Sequence, residues 1–146
     1  MKRKEIVIKG ETYVFKFCEE NIYQIDVFTP ETEKIGDKIG IVNFSLKCNG
    51  YSNNLWINII DVKDEYQFKG IGQALLDAVE TFAKMRRVYA IEGRFYPRNQ
   101  YARNFYEKNG FEIYKDGYET YLFKSMNYKT KELKNEQQSE CLGLFN

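Results

Sequence analysis

From residue 5 to residue 48 the apolar side chains come in short runs with two-residue alternation, and no helical period is sustained. Segments 6–8, 13–18, 22–28 and 39–46 read as strands spaced for antiparallel hairpins, with turns at Gly10-Glu11 and Glu20-Asn21. Residues 29–38, with Pro30 inside them, read as a loop. A polar break at 49–54 leads to 55–62, where the run LWINII predicts a central strand buried on both faces. The first fifty residues therefore read as strands throughout.

After Val62 the period changes. Ile71, Ala74, Leu75, Ala78, Val79, Phe82 and Met85 fall at steps of three and four, which predicts a helix. Residues 88–95 return to strand character and end at Pro97. Residues 101–109 place Ala102, Phe105 and Tyr106 on one helix face, and Asn109-Gly110 stops that helix. Segments 111–115 and 118–124 flank Asp116-Gly117, a two-residue hairpin signal. The order predicts an α+β fold on a mixed, mostly antiparallel sheet with a strand-rich N-terminal half. Residues 1–124 read as one domain. Residues 125–146 read as a polar tail whose apolar end, Cys141, Leu142, Leu144 and Phe145, docks on this chain or on a second copy in a homodimer.

Composition narrows the chemistry. The chain has 146 residues, a formal net charge of +1 and no histidine, so a Ser-His-Asp triad, a Cys-His pair and His-ligated zinc are excluded. No metal is expected. The near-neutral charge offers no global field for nucleic acid or an anionic membrane. Three cysteines without C-x-x-C spacing predict a reduced, cytoplasmic protein in which they serve as small apolar residues. No run approaches the roughly 18 to 20 apolar residues of a membrane span, so a soluble chain is expected. The 12 Tyr and 11 Phe favour a dense, sheet-rich core.

The stretch Gln67-Phe68-Lys69-Gly70-Ile71-Gly72-Gln73 lies between the buried strand and the periodic helix. The first N–H groups of a helix lack intrahelical partners and sit at the positive end of its dipole, so backbone amides there can hold a pyrophosphate. Gly70 and Gly72 allow close approach and Lys69 can add a charge; an ordinary strand-to-helix turn would read the same way. Neither a Walker A loop nor a G-x-G-x-x-G dinucleotide fingerprint is present, since Leu75 stands at the third glycine position.

Q-x-x-G-x-G at residues 67–72, followed by Asn99-x-x-Ala102-x-x-x-Tyr106-Glu107-Lys108-x-Gly110-Phe111, resembles the two signature segments of the GNAT-type N-acetyltransferase superfamily. The resemblance spans residues 55–123. It implies that the strand ending at Val62 and the strand at 88–95 splay apart, with acetyl-CoA as cosubstrate in the opening. It also implies that pantetheine bonds to the backbone near Ile60 to Val62, and that the pyrophosphate sits on the amides from Gln67 to Gln73. Asn99 would contact CoA, and Tyr106 would protonate the departing thiolate. A histidine-free protein can supply this chemistry, because amine attack on a thioester needs no covalent enzyme intermediate. Tyr106 has a second reading as a core aromatic.

The base is open between Glu92, Asp61 and water, each carboxylate being equally readable as an exposed strand residue. Trp56, at a position where the resemblance implies a catalytic glutamate in some family members, reads as a packing residue. Lys84, Arg86, Arg87, Arg94, Arg98 and Arg103 face only Glu92 in residues 84–103, a local excess that suits CoA phosphates, an acidic acceptor or a solvated surface. Arg103, a helical turn from Asn99, is the cofactor candidate among them. Family members usually place one or two helices after their first strand, and none is legible here, so the acceptor side reads as rebuilt. The expected function is acetyl transfer from acetyl-CoA to a primary amine of a small molecule or peptide. A non-catalytic acyl-CoA-binding relative and a sheet-rich interaction module are the alternatives.

Overall fold

A computed structural model describes residues 2–20, 22–48, 53–95, 100–126 and 144–145. Strands β1 (Lys2–Ile8), β2 (Glu11–Glu19) and β3 (Tyr23–Phe28) form a meander. Helix α1 (Pro30–Ile35) leads to β4 (Gly40–Cys48) and β5 (Asn53–Val62). Then come α2 (Ile71–Met85), β6 (Ala90–Phe95), α3 (Gln100–Lys108) and the hairpin of β7 (Glu112–Asp116) and β8 (Glu119–Ser125). All eight strands join one sheet in the order β1-β2-β3-β4-β5-β6-β8-β7. Every neighbouring pair is antiparallel except β5 and β6, whose parallel pairing requires the crossover that α2 provides.

One sheet face carries the core. Phe15, Phe17, Ile25, Val27, Val42, Phe44, Leu55 and Ile57 meet Leu75, Leu76, Val79 and Phe82 of α2, all buried. Phe82 is the hub, with ring centroids 4.7 Å from Tyr23 and 5.1 Å from Phe44. Phe145 closes this cluster edge-on to Phe17 and Phe82, and Leu144 beside it is fully buried, so these two residues pack on their own chain; Cys141 and Leu142 lie outside the described residues. Each such side chain removed from water contributes roughly 1.5 to 3 kcal/mol.

The segment expected to be a loop at 29–38 contains α1. Thr29 and Thr32 form a reciprocal capping box, Pro30 stands in the first turn where its missing N–H costs nothing, and Gly36 ends the helix at φ 71°. Pro30, expected inside that loop, starts a helix at this position. α1 buries no residue; its Glu33 accepts from Arg3 at 2.8 Å and lies 3.1 Å from Lys16. The first fifty residues are therefore not strands throughout. The hairpin turns also sit one residue away from their expected places, at Lys9-Gly10 (φ 51° and 84°) and at Gly117-Tyr118. Two positive φ values in succession are what a type I′ turn needs.

Strand β5 is central but not buried on both faces, because Ile59 remains 48% exposed and Asn58 is exposed. A bulge at Asn58, opposite Asn43 and Phe44, shifts the register of β5 against β4. Pairing with β6 runs from Asn54↔Ala90 to Ile57↔Gly93 and stops there. At that last rung a methyl on Gly93 would lie 3.2 Å from the Ile57 carbonyl oxygen, so only glycine lets the strands come this close. Beyond it the bulge bends β5 away, and the two strands splay.

Candidate active site

The splay opens onto a cleft of about 860 Å³ on the helix-covered side of the sheet. Its wall on one side is the end of β5, through Ile60, Asp61 and Val62. Gln67, Phe68, Gly70, Gly72 and Gln73 form its floor, and Tyr101, Phe105 and Tyr106 of α3 face them. Most of the expected cofactor residues are thus brought together.

Each loop residue holds its place by a distinct contact. Gln67 Nε2 donates to the Val62 carbonyl at 3.0 Å and to Asp64 Oδ1 at 3.1 Å, so this side chain braces the loop. Phe68 adopts φ 63°, an uncommon conformation for a bulky residue, and remains 75% exposed with its ring edge-on to Tyr101 at 5.3 Å. Gly70 adopts φ 92°, and a methyl there would meet Ile8 Cγ2 at 2.9 Å. The Gln73 side chain exchanges hydrogen bonds with Asn109 at 2.8 and 3.1 Å, tying the start of α2 to the end of α3.

The start of α2 carries no side-chain cap, and the amide of Ala74 is the first to return to the helix, onto the Gly70 carbonyl at 3.0 Å. The amides of Ile71, Gly72 and Gln73 consequently have no intrahelical acceptor. A Cβ on Gly72 would meet nothing within 4 Å. Uncapped amides beside open space are what a diphosphate needs, so these residues fit the pyrophosphate of a CoA thioester. Ile71 itself is buried, and Lys69 stands over the Tyr66 ring at 5.8 Å without lining the cleft.

Tyr106 is buried at the cleft wall among Phe95, Phe105 and Phe111, with centroids 5.3 to 6.3 Å away. Its ring belongs to the core, as the packing reading expects, and the residue also borders the cleft. Burial pushes the phenol above its ordinary value of 10.0, so it stays protonated across the neutral range.

Alternation along β5 and β6 sends the Asp61 and Glu92 side chains to the opposite sheet face from Ile60, Val62 and Ile91, which pack with the core. Asp61 is exposed, with its backbone bordering the cleft. Glu92 is half-buried, pairs in register with Trp56, and accepts from Asn54 Nδ2 at 3.2 Å. Trp56 packs, edge-on to Tyr121 and under the Lys47 ammonium at 4.1 Å.

The described members of the basic run do not gather at the cleft. Arg86 lies over Phe82 and near Glu19, and Arg103 pairs with Glu107 at 3.3 Å over the Phe95 ring. Arg103 is not among the described residues lining the cleft. Asn99 and Arg98 lie outside the described residues. Sequence reasoning missed Ile8, Lys9, Tyr101 and Lys108, which do line it. No local pattern marks the first two, because only the coiling of the sheet carries the hairpin turn to α2.

The acetyltransferase (GNAT) domain model matches residues 24–113. A comparison with curated proteins finds no match. Among solved structures, the PaiA N-acetyltransferase of Thermoplasma acidophilum in complex with coenzyme A superposes with a TM-score of 0.61 at 23% identity, over 73% of this chain and 62% of that one. Arabidopsis thaliana NAA60 in complex with a bisubstrate analogue gives 0.64 at 15% identity, over 75% and 78%. A streptothricin acetyltransferase assigned in Bacillus anthracis, in complex with acetyl coenzyme A, gives 0.60 at 22%, over 74% and 64%. The chain thus spans less than two thirds of the length of two of these three proteins. With the family model covering more than half of its residues and the splayed sheet in place, the chain belongs to the GNAT acetyltransferase family.

Proposed function

We propose that this protein is an acetyl-CoA-dependent N-acetyltransferase acting on a primary amine of a small molecule or peptide. The observation that carries the reading is the opening of the β5–β6 pair beyond Ile57 and Gly93, directly beside the uncapped start of α2. Acetyl-CoA would supply an activated acetyl thioester. The chain would bind it through the amides of Gly72 and Gln73 and through the free edge of β5 at Ile60 to Val62, with Asn99 as a further contact.

The amine would approach from the sheet face that carries Asp61 and Glu92. A C–N bond forms, the C–S bond breaks, and the ammonium proton leaves to one of these carboxylates or to water. Tyr106, which lines the cleft from the helix side, would face the departing sulfur. With its pKa raised above that of a thiol, near 8.5 for cysteine, the phenol keeps its proton and stabilises the thiolate as a hydrogen-bond donor.

A thiol-release assay with acetyl-CoA over a panel of polyamines, peptide N-termini and lysine peptides tests the reading. Thiol release that depends on an amine and falls in Tyr106→Phe is expected. Binding without release on any amine would assign the chain to acyl-CoA binding alone.

A further inference from the structure

We propose that Lys9, in the turn of the N-terminal hairpin, is a phosphate-binding residue of the cleft. The inference rests on the acetyl-CoA reading and adds to it a contact from outside the matched segment, which begins at residue 24. Lys9 and Ile8 line the cleft together with Gly70 and Gly72. A methyl on Gly70 would lie 3.5 Å from Lys9 Cε and 4.0 Å from its Cδ, so the lysine stem runs alongside the start of α2. The turn that presents it is fixed by consecutive positive φ values at Lys9 and Gly10.

Among the described residues the charge of Lys9 is uncommitted. Arg3, Lys16, Lys38 and Lys63 on the surrounding strands and loops all have carboxylate partners, whereas Lys9 pairs with no described residue. The loop's own lysine, Lys69, is engaged with the Tyr66 ring. Beside three amides without acceptors, an ammonium on a tethered stem completes a site for a doubly charged diphosphate, and it does so from the far edge of the sheet. The hairpin turn thereby acts as a clasp on the phosphate end of the cosubstrate.

Lys9→Asn tests this cleanly, because Asn-Gly is the preferred type I′ turn and the hairpin is retained. Calorimetric dissociation constants are measured for acetyl-CoA and for S-acetylpantetheine, which lacks the phosphates, at two salt concentrations. Loss of one phosphate contact of this kind corresponds to a rise in Kd of about fivefold to tenfold for acetyl-CoA. The proposal expects that rise, a shallower salt dependence, no change for S-acetylpantetheine, and recovery in Lys9→Arg. Unchanged acetyl-CoA binding in Lys9→Asn, or equal weakening of both ligands, would overturn it. A wild-type chain that binds neither ligand would instead remove the acetyl-CoA reading, and the role of Lys9 with it.

Discussion

Tyr106 joins two demands in one side chain. Its ring fills a pocket between Phe95, Phe105 and Phe111, and its burial holds the phenol in the protonated form. Tyr106→Phe keeps the ring, so unfolding free energy should change by no more than about 1 kcal/mol. Turnover should fall by about a hundredfold to a thousandfold, the usual scale for one lost donor at a developing anion. The alkaline limb of the pH–rate profile should show no tyrosine titration up to about pH 10, in wild type or variant, because the shift is upward. A wild-type activity that collapses between about pH 8 and 9 while Tyr106→Phe stays flat would contradict the assignment. The carboxylates make a separate prediction. Replacing the true base, by Asp61→Asn or Glu92→Gln, should slow the reaction at neutral pH and recover as the pH approaches the amine's own pKa, near 10.4 for a lysine-like acceptor.

At the scale of elements, the two glycines before and within the first turn of α2 serve different ends. Gly70→Ala would be strained by φ 92° and would press on Ile8, so a loss of about 1 to 3 kcal/mol of stability is expected in chemical denaturation. Gly72→Ala meets open space, so stability should hold while acetyl-CoA affinity drops, since the methyl stands beside the uncapped amides. Equal effects of the two substitutions on both readouts would refute this division. Helix α1 supplies a pH prediction. Its Glu33 carboxyl is held at about 2 instead of 4.5 by the hydrogen bonds from Arg3 and Lys16. A depressed carboxyl stabilises the fold above its unfolded pKa and loses that contribution as pH falls toward the folded one. The difference in Tm between wild type and Glu33→Gln should therefore be constant above about pH 5 and shrink between pH 4.5 and 2; a difference independent of pH would show that the pair does not act. The same helix shows where local pattern fails. Six residues without a buried face leave no apolar period to read, and the only signals were the Thr29 cap and Pro30. By contrast α2 was legible because its buried positions repeat over the whole helix.

For the molecule as a whole, the strand order and the splay follow from pairings far apart in sequence. The strand segments and the glycine-containing loop were readable one by one. The bulge at Asn58 was not, although it ends the β5–β6 ladder, because a bulge is set by its partner strand and not by its own residues. The same holds for the contribution of the β1–β2 turn, which is remote from α2 along the chain and beside Gly70 in space. Asp61 and Glu92 were each readable as strand carboxylates, yet only the alternation of two strands puts both on the face opposite the cleft. What results is a sheet with the cleft on one side and the side chains of Asp61 and Glu92 on the other, joined through the splay. No described helix is long and apolar enough to cross a membrane. Binding of acetyl-CoA to this cleft through the start of α2 is checked by calorimetric titration of acetyl-CoA into the full chain. Saturable binding at one site per chain, weakened in Gly72→Ala, is predicted; the absence of heat up to millimolar ligand would contradict the account.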